Sequence, residues 1–400
     1  MTEVQSLIGE EIYGMRLNRR ILANHITLQQ KNKLPNVISI SAHKAHEMNQ
    51  GNSARIAIIN SGCCTAHPKI ESCLETDALK QGRNILMCES LDPNDPADPD
   101  KKYLLDDKAS HGTPIAGIIT DVAPESLLYI FKVTKKGKQG TLRLEHVLRA
   151  LAFSIHEEFD CDVINLSFGI DNHSLFKTAC DDLFYNKGKL LVAAAGNTRI
   201  GKIFPAAFDS VISVGSVDDY KAHSIFSNLD ETVDICAPGE YIFSIDAPHF
   251  LERLLDRATM QKISRYRRAY ALNSGTSFAT PHVSGVLALG VSLLRARGYR
   301  IGEDIPAEEV KQVLCDTAYK PEMNAEKVKS ALREEIEEET VKRACGKKTK
   351  KFSKLLTAED LQQKLDRIMG LSEDELYSQA LGSGVVNAKS FLTKLAESYQ

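Results

Sequence analysis

Five short runs of valine, isoleucine and alanine, none longer than seven residues, recur through the middle of this chain and constrain its fold more than any other feature. They are RIAII (residues 55–59), LLYIFKV (127–133), DVINLSF (162–168), KLLVAAA (189–195) and VISVGSV (211–217). Between them lie segments of helical period such as TLRLEHVLRALAFSIHEEF (141–159). Strands that are apolar almost throughout, rather than on alternate residues, are buried on both faces, and a parallel sheet needs a crossover helix between its strands. The pattern predicts an α/β domain of three layers, a mostly parallel sheet with helices on both faces, plus helical insertions. In such a sheet, ligands and chemistry belong beyond the carboxyl ends of the strands.

The composition fits a large buried core: 400 residues, 43% hydrophobic and 26% charged. A formal charge of -3 and a pI near 6.4 give no bulk attraction to nucleic acid, so no nucleic-acid partner is expected. No apolar run approaches the roughly 18 residues of a membrane span, so no membrane partner is expected either. Nine cysteines, an odd number that includes the adjacent Cys63 and Cys64, do not form a disulfide framework and favour a reducing compartment. The opening MTEVQSLIGEEIYG has neither the basic start nor the apolar core of a secretory signal. The expected location is cytoplasmic.

Three segments carry chemistry. NSGTSFATPHVSG puts Ser277 behind a Gly-Thr turn at the start of a long apolar helix, where free N–H groups and the positive dipole end can stabilise an oxyanion. SHGTPIAGII sets His111 at another helix start, with Pro114 suited to the first turn. LVAAAGNTRIG ends a buried strand in Gly196 and Asn197, and a side-chain amide there is placed to donate to a developing negative charge. Alone, each is an ordinary cap or turn residue.

Together, in this order, they resemble the subtilisin family of serine proteases. The family's serine motif, G-T-S-x-A-x-P-H-V-x-G, is matched by GTSFATPHVSG. The resemblance implies that Ser277 is the nucleophile, His111 in HGT the general base and Asn197 in AAAGN the oxyanion donor. The family's substrate-edge strand resembles NLSFG, which implies that Ser167, Phe168 and Gly169 lie beside bound peptide, with Ala195 and Gly196 also lining the substrate site. The first family motif resembles RIAIINSGCCTAHPKI at every diagnostic position but one: Asn60 stands where the family has its catalytic aspartate. His67 falls on the family's structural His-Pro rather than on a base.

That asparagine has the shape of the aspartate without its charge. Its amide can also donate to the histidine Nδ1, which would leave Nε2 protonated and unable to accept the serine proton. In another serine-protease scaffold the same change costs about 10⁴ in turnover with the geometry intact. Asp106 and Asp107 precede His111 in a polar stretch and are read as solvated. The expectation is a serine endopeptidase working through an acyl-enzyme on Ser277 and slowed by Asn60. Two other readings stand beside it, a pseudoprotease that binds peptides and a processing protease dedicated to one partner.

The expected organisation is an N-terminal extension over 1–34, inhibitory by resemblance to intracellular subtilisins, then a catalytic domain over 35–320. A basic helical insertion at 248–270, including Arg253, Arg257, Lys262, Arg265, Arg267 and Arg268, falls within it. A charged helical insertion at 321–381, with a capping box at Ser372 and Glu375, is expected to serve partner binding or regulation. Residues 382–400 supply a C-terminal helix completing the domain. Besides a peptide or protein substrate, no cofactor is required. Calcium, which often stabilises the family, has candidate carboxylates in LDPNDPADPD (91–100), and Cys63, Cys64, His67, Cys73 and Cys88 match no common zinc spacing.

Overall fold

The structure is a computed structural model that describes residues 34–65, 67–75, 80–87, 105, 107, 109–134, 142–246, 270–344 and 357–400. Residues 1–33 of the expected N-terminal extension (1–34), most of the basic insertion, the calcium candidate and Asp106 lie outside the described residues.

All five apolar runs form strands of one sheet. Its strands are β1 (Arg55–Asn60), β2 (Gly82–Asn84), β3 (Leu127–Lys132), β4 (Val163–Leu166), β5 (Leu190–Ala194), β6 (Ile212–Val217) and β7 (Ile235–Pro238). They lie in the order β2-β3-β1-β4-β5-β6-β7, and each neighbouring pair is parallel. The side chains of β4, β5 and β6 are buried along their whole length, the physical reason for their unbroken apolar sequence. A smaller antiparallel pair joins β8 (Ile242–Ile245) to β9 (Tyr270–Asn273).

From β1 the chain runs out to the edge strand β2 and back to β3, and from β4 it moves outward on the other side of β1. The order therefore reverses between β1 and β4, where a parallel sheet opens a crevice beyond its carboxyl ends. Asn60 is the last residue of β1, in register with Lys132 of β3.

Two helices bring the chemistry to that crevice. Helix α1 (Gly112–Val122) follows His111, and ten of its eleven residues are buried. The helical period at 141–159 produces α2 (Leu144–Ser154), which packs with β1 and β3 and with α3 (Ser174–Asp181). Helix α4 (Thr276–Ala296) crosses beneath β4 to β7 and packs along α1. By length and composition α4 would pass for a membrane span, contrary to the sequence expectation that no such run exists, yet 94% of its most apolar window is buried inside the protein. Its close contact with α1 depends on Gly285, where an added Cβ would come within 2.7 Å of the Val122 Cβ.

The chain ends in α5 (Ala307–Asp316), α6 (Ala325–Ala344), α7 (Ala358–Met369), α8 (Glu373–Leu381) and α9 (Ala388–Ser398). Helix α9 packs on α4, the Phe391 ring lying where a side chain at Gly290 would go. Helices α6 to α8 do not hang off the domain. Their Leu332, Ile336, Leu361, Leu365, Ile368 and Leu376 join Ala195, Ile200, Leu229 and Val233 in a second apolar core. The expected capping box at Ser372 and Glu375 opens α8, and a second, Thr357 with Asp360, opens α7.

Candidate active site

The first element of the site is the end of β1. Asn60 is 5% exposed, and its Oδ1 lies 2.8 Å from His111 Nδ1. The same oxygen accepts the backbone N–H of Ser61 at 2.8 Å. A backbone N–H can only donate, so the atom it meets is the amide oxygen, and that oxygen is what faces the imidazole. His111 must then carry its proton on Nδ1 and donate it to Asn60, which leaves Nε2 with a free lone pair. The sequence-level concern that the amide would select the opposite tautomer is therefore answered by Ser61. Burial lowers the pKa of His111 below the usual imidazole value, and the charge of Asp107 opposes that shift.

Asp107 corrects the sequence reading. Instead of being solvated it is 1% exposed and accepts four hydrogen bonds. Its Oδ1 receives the Ser61 hydroxyl at 2.8 Å and the Ala109 N–H at 3.2 Å. Its Oδ2 receives the Thr113 N–H at 2.8 Å and the Thr113 hydroxyl at 2.7 Å. Thr113 lies in the first turn of α1, where a carboxylate satisfies an otherwise free N–H and opposes the helix dipole. The signal was present in the sequence as an acid four residues ahead of His-Gly-Thr, but only the fold shows that the loop is buried.

Ser277 is the second residue of α4, half-buried, and follows Gly275, whose φ of 147° a side chain would strain. The next side chain, Phe278, tilts against His111 with ring centroids 5.5 Å apart, which seats the first turn of α4 beside the imidazole. Asn197 is exposed, and its Oδ1 accepts both the N–H and the hydroxyl of Thr276, at 2.8 and 3.0 Å. The carbonyl end thus caps the serine helix, and the Nδ2 hydrogens remain as donors. Sequence reasoning missed Thr276, which also takes the Gly196 N–H on its hydroxyl at 3.2 Å and so ties both loops together.

The remaining expected site residues follow the carboxyl ends of β4 and β5. Phe168 is half-buried and Gly169 exposed just past β4. Ser167 is fully buried, its hydroxyl accepting the Asn165 amide at 2.9 Å, so only its backbone can face a peptide. Ala195 is 5% exposed, and Gly196 adopts a φ of 109° with Asn228 Nδ2 within 2.5 Å of where a Cβ would sit. His67 is 2% exposed, its Nδ1 accepting the Lys69 N–H at 3.2 Å and its ring edge-on to Tyr270, which is a structural placement.

No group of three or more histidine, cysteine or acidic side chains among the described residues is close enough to hold a metal ion. The seven cysteines among them are all free thiols.

Comparison with known proteins places the chain in a family. The sequence model of the subtilase family, peptidase family S8, matches residues 51–368 of the 400. The chain is 31% identical over 277 residues to the major intracellular serine protease of Bacillus subtilis (strain 168), covering 64% of this chain and 75% of that protein. It is 29% identical over 289 residues to the intracellular serine protease of Paenibacillus polymyxa, covering 67% and 76% respectively. A crystal structure of a lanthipeptide protease superposes with a TM-score of 0.63, covering 92% of this chain and 96% of the other at 19% identity, a likeness of fold. The chain belongs to the subtilase family of serine proteases.

Proposed function

We propose that the protein is an endopeptidase that cleaves peptide bonds through an acyl-enzyme on Ser277, with His111 as general base and Asn197 as oxyanion donor. The observation that carries this reading is the Asn60 Oδ1 to His111 Nδ1 contact with the amide oxygen fixed by Ser61, because it leaves Nε2 able to accept the serine proton. Ser277 Oγ attacks the carbonyl as His111 takes its proton. The negative oxygen that forms meets Asn197 Nδ2 and the positive end of α4. His111 then gives its proton to the leaving amine, and water, deprotonated in turn by His111, releases the acyl group. Asn60 orients the imidazole but offers no charge to the imidazolium, so turnover falls below that of an aspartate form. Peptide lies along the backbone at Ser167, Phe168 and Gly169 and beside Ala195 and Gly196. Action inside the cell fits the two relatives named as intracellular proteases. The packing of α6 to α8 behind the Asn197 loop supports a role for 321–381 in holding that loop, from which a bound regulatory partner would act on the site.

A fluorophosphonate probe tests the reading. The chain and its Asn60→Asp form are expected to label on Ser277, the second faster, and Ser277→Ala to remain unlabelled. Absence of label on both serine-containing forms, each shown to be folded, would leave a peptide-binding protein without hydrolysis.

A further inference from the structure

The chain has lost the negative charge from the end of β1 yet keeps a buried carboxylate one hydrogen-bonded residue away. Asn60 Oδ1 receives two donors, His111 Nδ1–H and the Ser61 N–H. The Ser61 hydroxyl lies 2.8 Å from Asp107 and 3.3 Å from Asn60. It has one hydrogen, and the shorter, charge-assisted contact takes it. The Gly112 N–H, next to His111, donates back to Ser61 Oγ at 3.1 Å. Thr113 completes the ring by giving both its donors to Asp107 and accepting the Cys64 N–H on its hydroxyl at 3.1 Å. Asp107 thus binds the exit of β1 to the entry of α1 on either side of His111, with its side chain closed off from water.

We propose that Asp107 is a positioning residue that replaces the missing aspartate in function, acting through Ser61 to hold Asn60 toward His111 and to stabilise the imidazolium across the buried space between them. It does not touch the imidazole and forms no bond during the reaction. A charge at 1% exposure acts through a medium far less polarisable than water, so its field reaches His111 with little screening. Other groups at this end of the sheet are the Cys63 thiol, kept protonated by burial, Lys132 of β3 in register with Asn60, and the apolar Phe278 ring of α4. All three remain unchanged in the variants below, so comparison isolates Asp107.

The inference rests on the protease reading, and its test has one arm that needs turnover and one that does not. In the chain as it stands, Asp107→Asn is expected to lower kcat at least about tenfold, the rate equivalent of one pKa unit, with KM within about twofold. In the Asn60→Asp background, where a carboxylate touches His111 directly, the same change is expected to cost less than about threefold. In the Ser277→Ala protein, the His111 pKa followed by NMR is expected to fall on Asp107→Asn, because the imidazolium loses its anion. Equal loss of kcat in both backgrounds with an unmoved His111 pKa would make Asp107 a structural clamp only and overturn the proposal. Ser61→Ala, which keeps the backbone donor and removes the hydroxyl, serves the same comparison if Asp107→Asn does not fold: it must shift the His111 pKa and kcat in the same direction, by less. If the chain shows no turnover in either background the protease reading fails, and the NMR arm still decides the role of Asp107.

Discussion

Asn60 differs from an aspartate by a single atom, and Ser61 decides which of its two polar atoms matters. With the oxygen turned to His111, the orientation that a triad carboxylate provides is retained and only the charge is lost. Restoring that charge by Asn60→Asp is expected to raise kcat more than tenfold, up to the roughly 10⁴ seen for the reverse change in another scaffold, with KM little altered. Steady-state kinetics on a peptide substrate checks this, and equal kcat would show that the missing charge is already fully supplied. In the proposed mechanism Asn197 has two tasks on one side chain. Asn197→Ala is expected to lower kcat by about 10²–10³ through the lost oxyanion donor, and to cost about 1 kcal/mol of stability through the lost cap on Thr276. Paired kinetic and thermal measurements separate the two. The positions of Ser277, His111 and Asn197 at helix starts and past a strand end were legible in the sequence because each sits in a short local motif. Asp107 and Thr276 were not, because their roles are set by which loops are buried against one another, and no local pattern encodes that.

At the scale of elements, the geometry between the proposed nucleophile and base is set by how α4 meets α1. Gly285 lets the two helices touch, and Gly285→Ala would drive a methyl group into Val122. This overpacking is expected to cost about 1–3 kcal/mol and, by moving α4 off α1, to lower kcat more than KM changes. A thermal melt beside steady-state kinetics reads both effects, and a destabilised variant with unchanged kcat would mean that α4 relaxes away from the site. Five of the seven strands of the main sheet, and α2, were legible from apolar runs and helical period. The insertion was legible as helical but not as part of the core. Its charged residues dominate composition, while its few apolar residues, such as Leu332 with Ile336 and Leu361 with Leu365, recur at the spacing of one buried face. What that face covers, the loop carrying Asn197, lies more than a hundred residues earlier in the chain and could be found only in the fold.

For the whole molecule, the buried His282 links stability to pH. It is fully buried in the middle of α4, its Nδ1–H donating to the Phe278 carbonyl at 2.9 Å and its Nε2 accepting the Asn36 amide at 2.7 Å. Both nitrogens are therefore satisfied only in the neutral ring, and burial pushes its pKa down to about 4. In the unfolded chain the same ring titrates near 6.5. Between those values the unfolded state binds the proton and the folded state does not, so stability falls as pH drops through that window and is fully present above it. A shift of this size is worth about 3 kcal/mol by pH 4. The acid limb of activity then has two origins. His111, whose pKa burial also lowers, loses its base form reversibly. His282 instead releases α4, and with it Ser277 and the first strap of chain at Asn36. Melting temperatures are expected to be flat from pH 8 to about 6.5 and to fall steadily toward pH 4. His282→Gln, which keeps a donor and an acceptor without a titrating group, is expected to lower stability at pH 8 and to make the slope between 6.5 and 4 shallower, the remainder staying with His223, whose pKa burial also pushes down to about 4. A slope as steep as the parent's would place the acid sensitivity in other groups. If that variant keeps the acid limb of kcat while its stability slope becomes shallower, the limb belongs to His111, and the two histidines, one at the N-cap of α1 and one within α4, set separate limits on the same site.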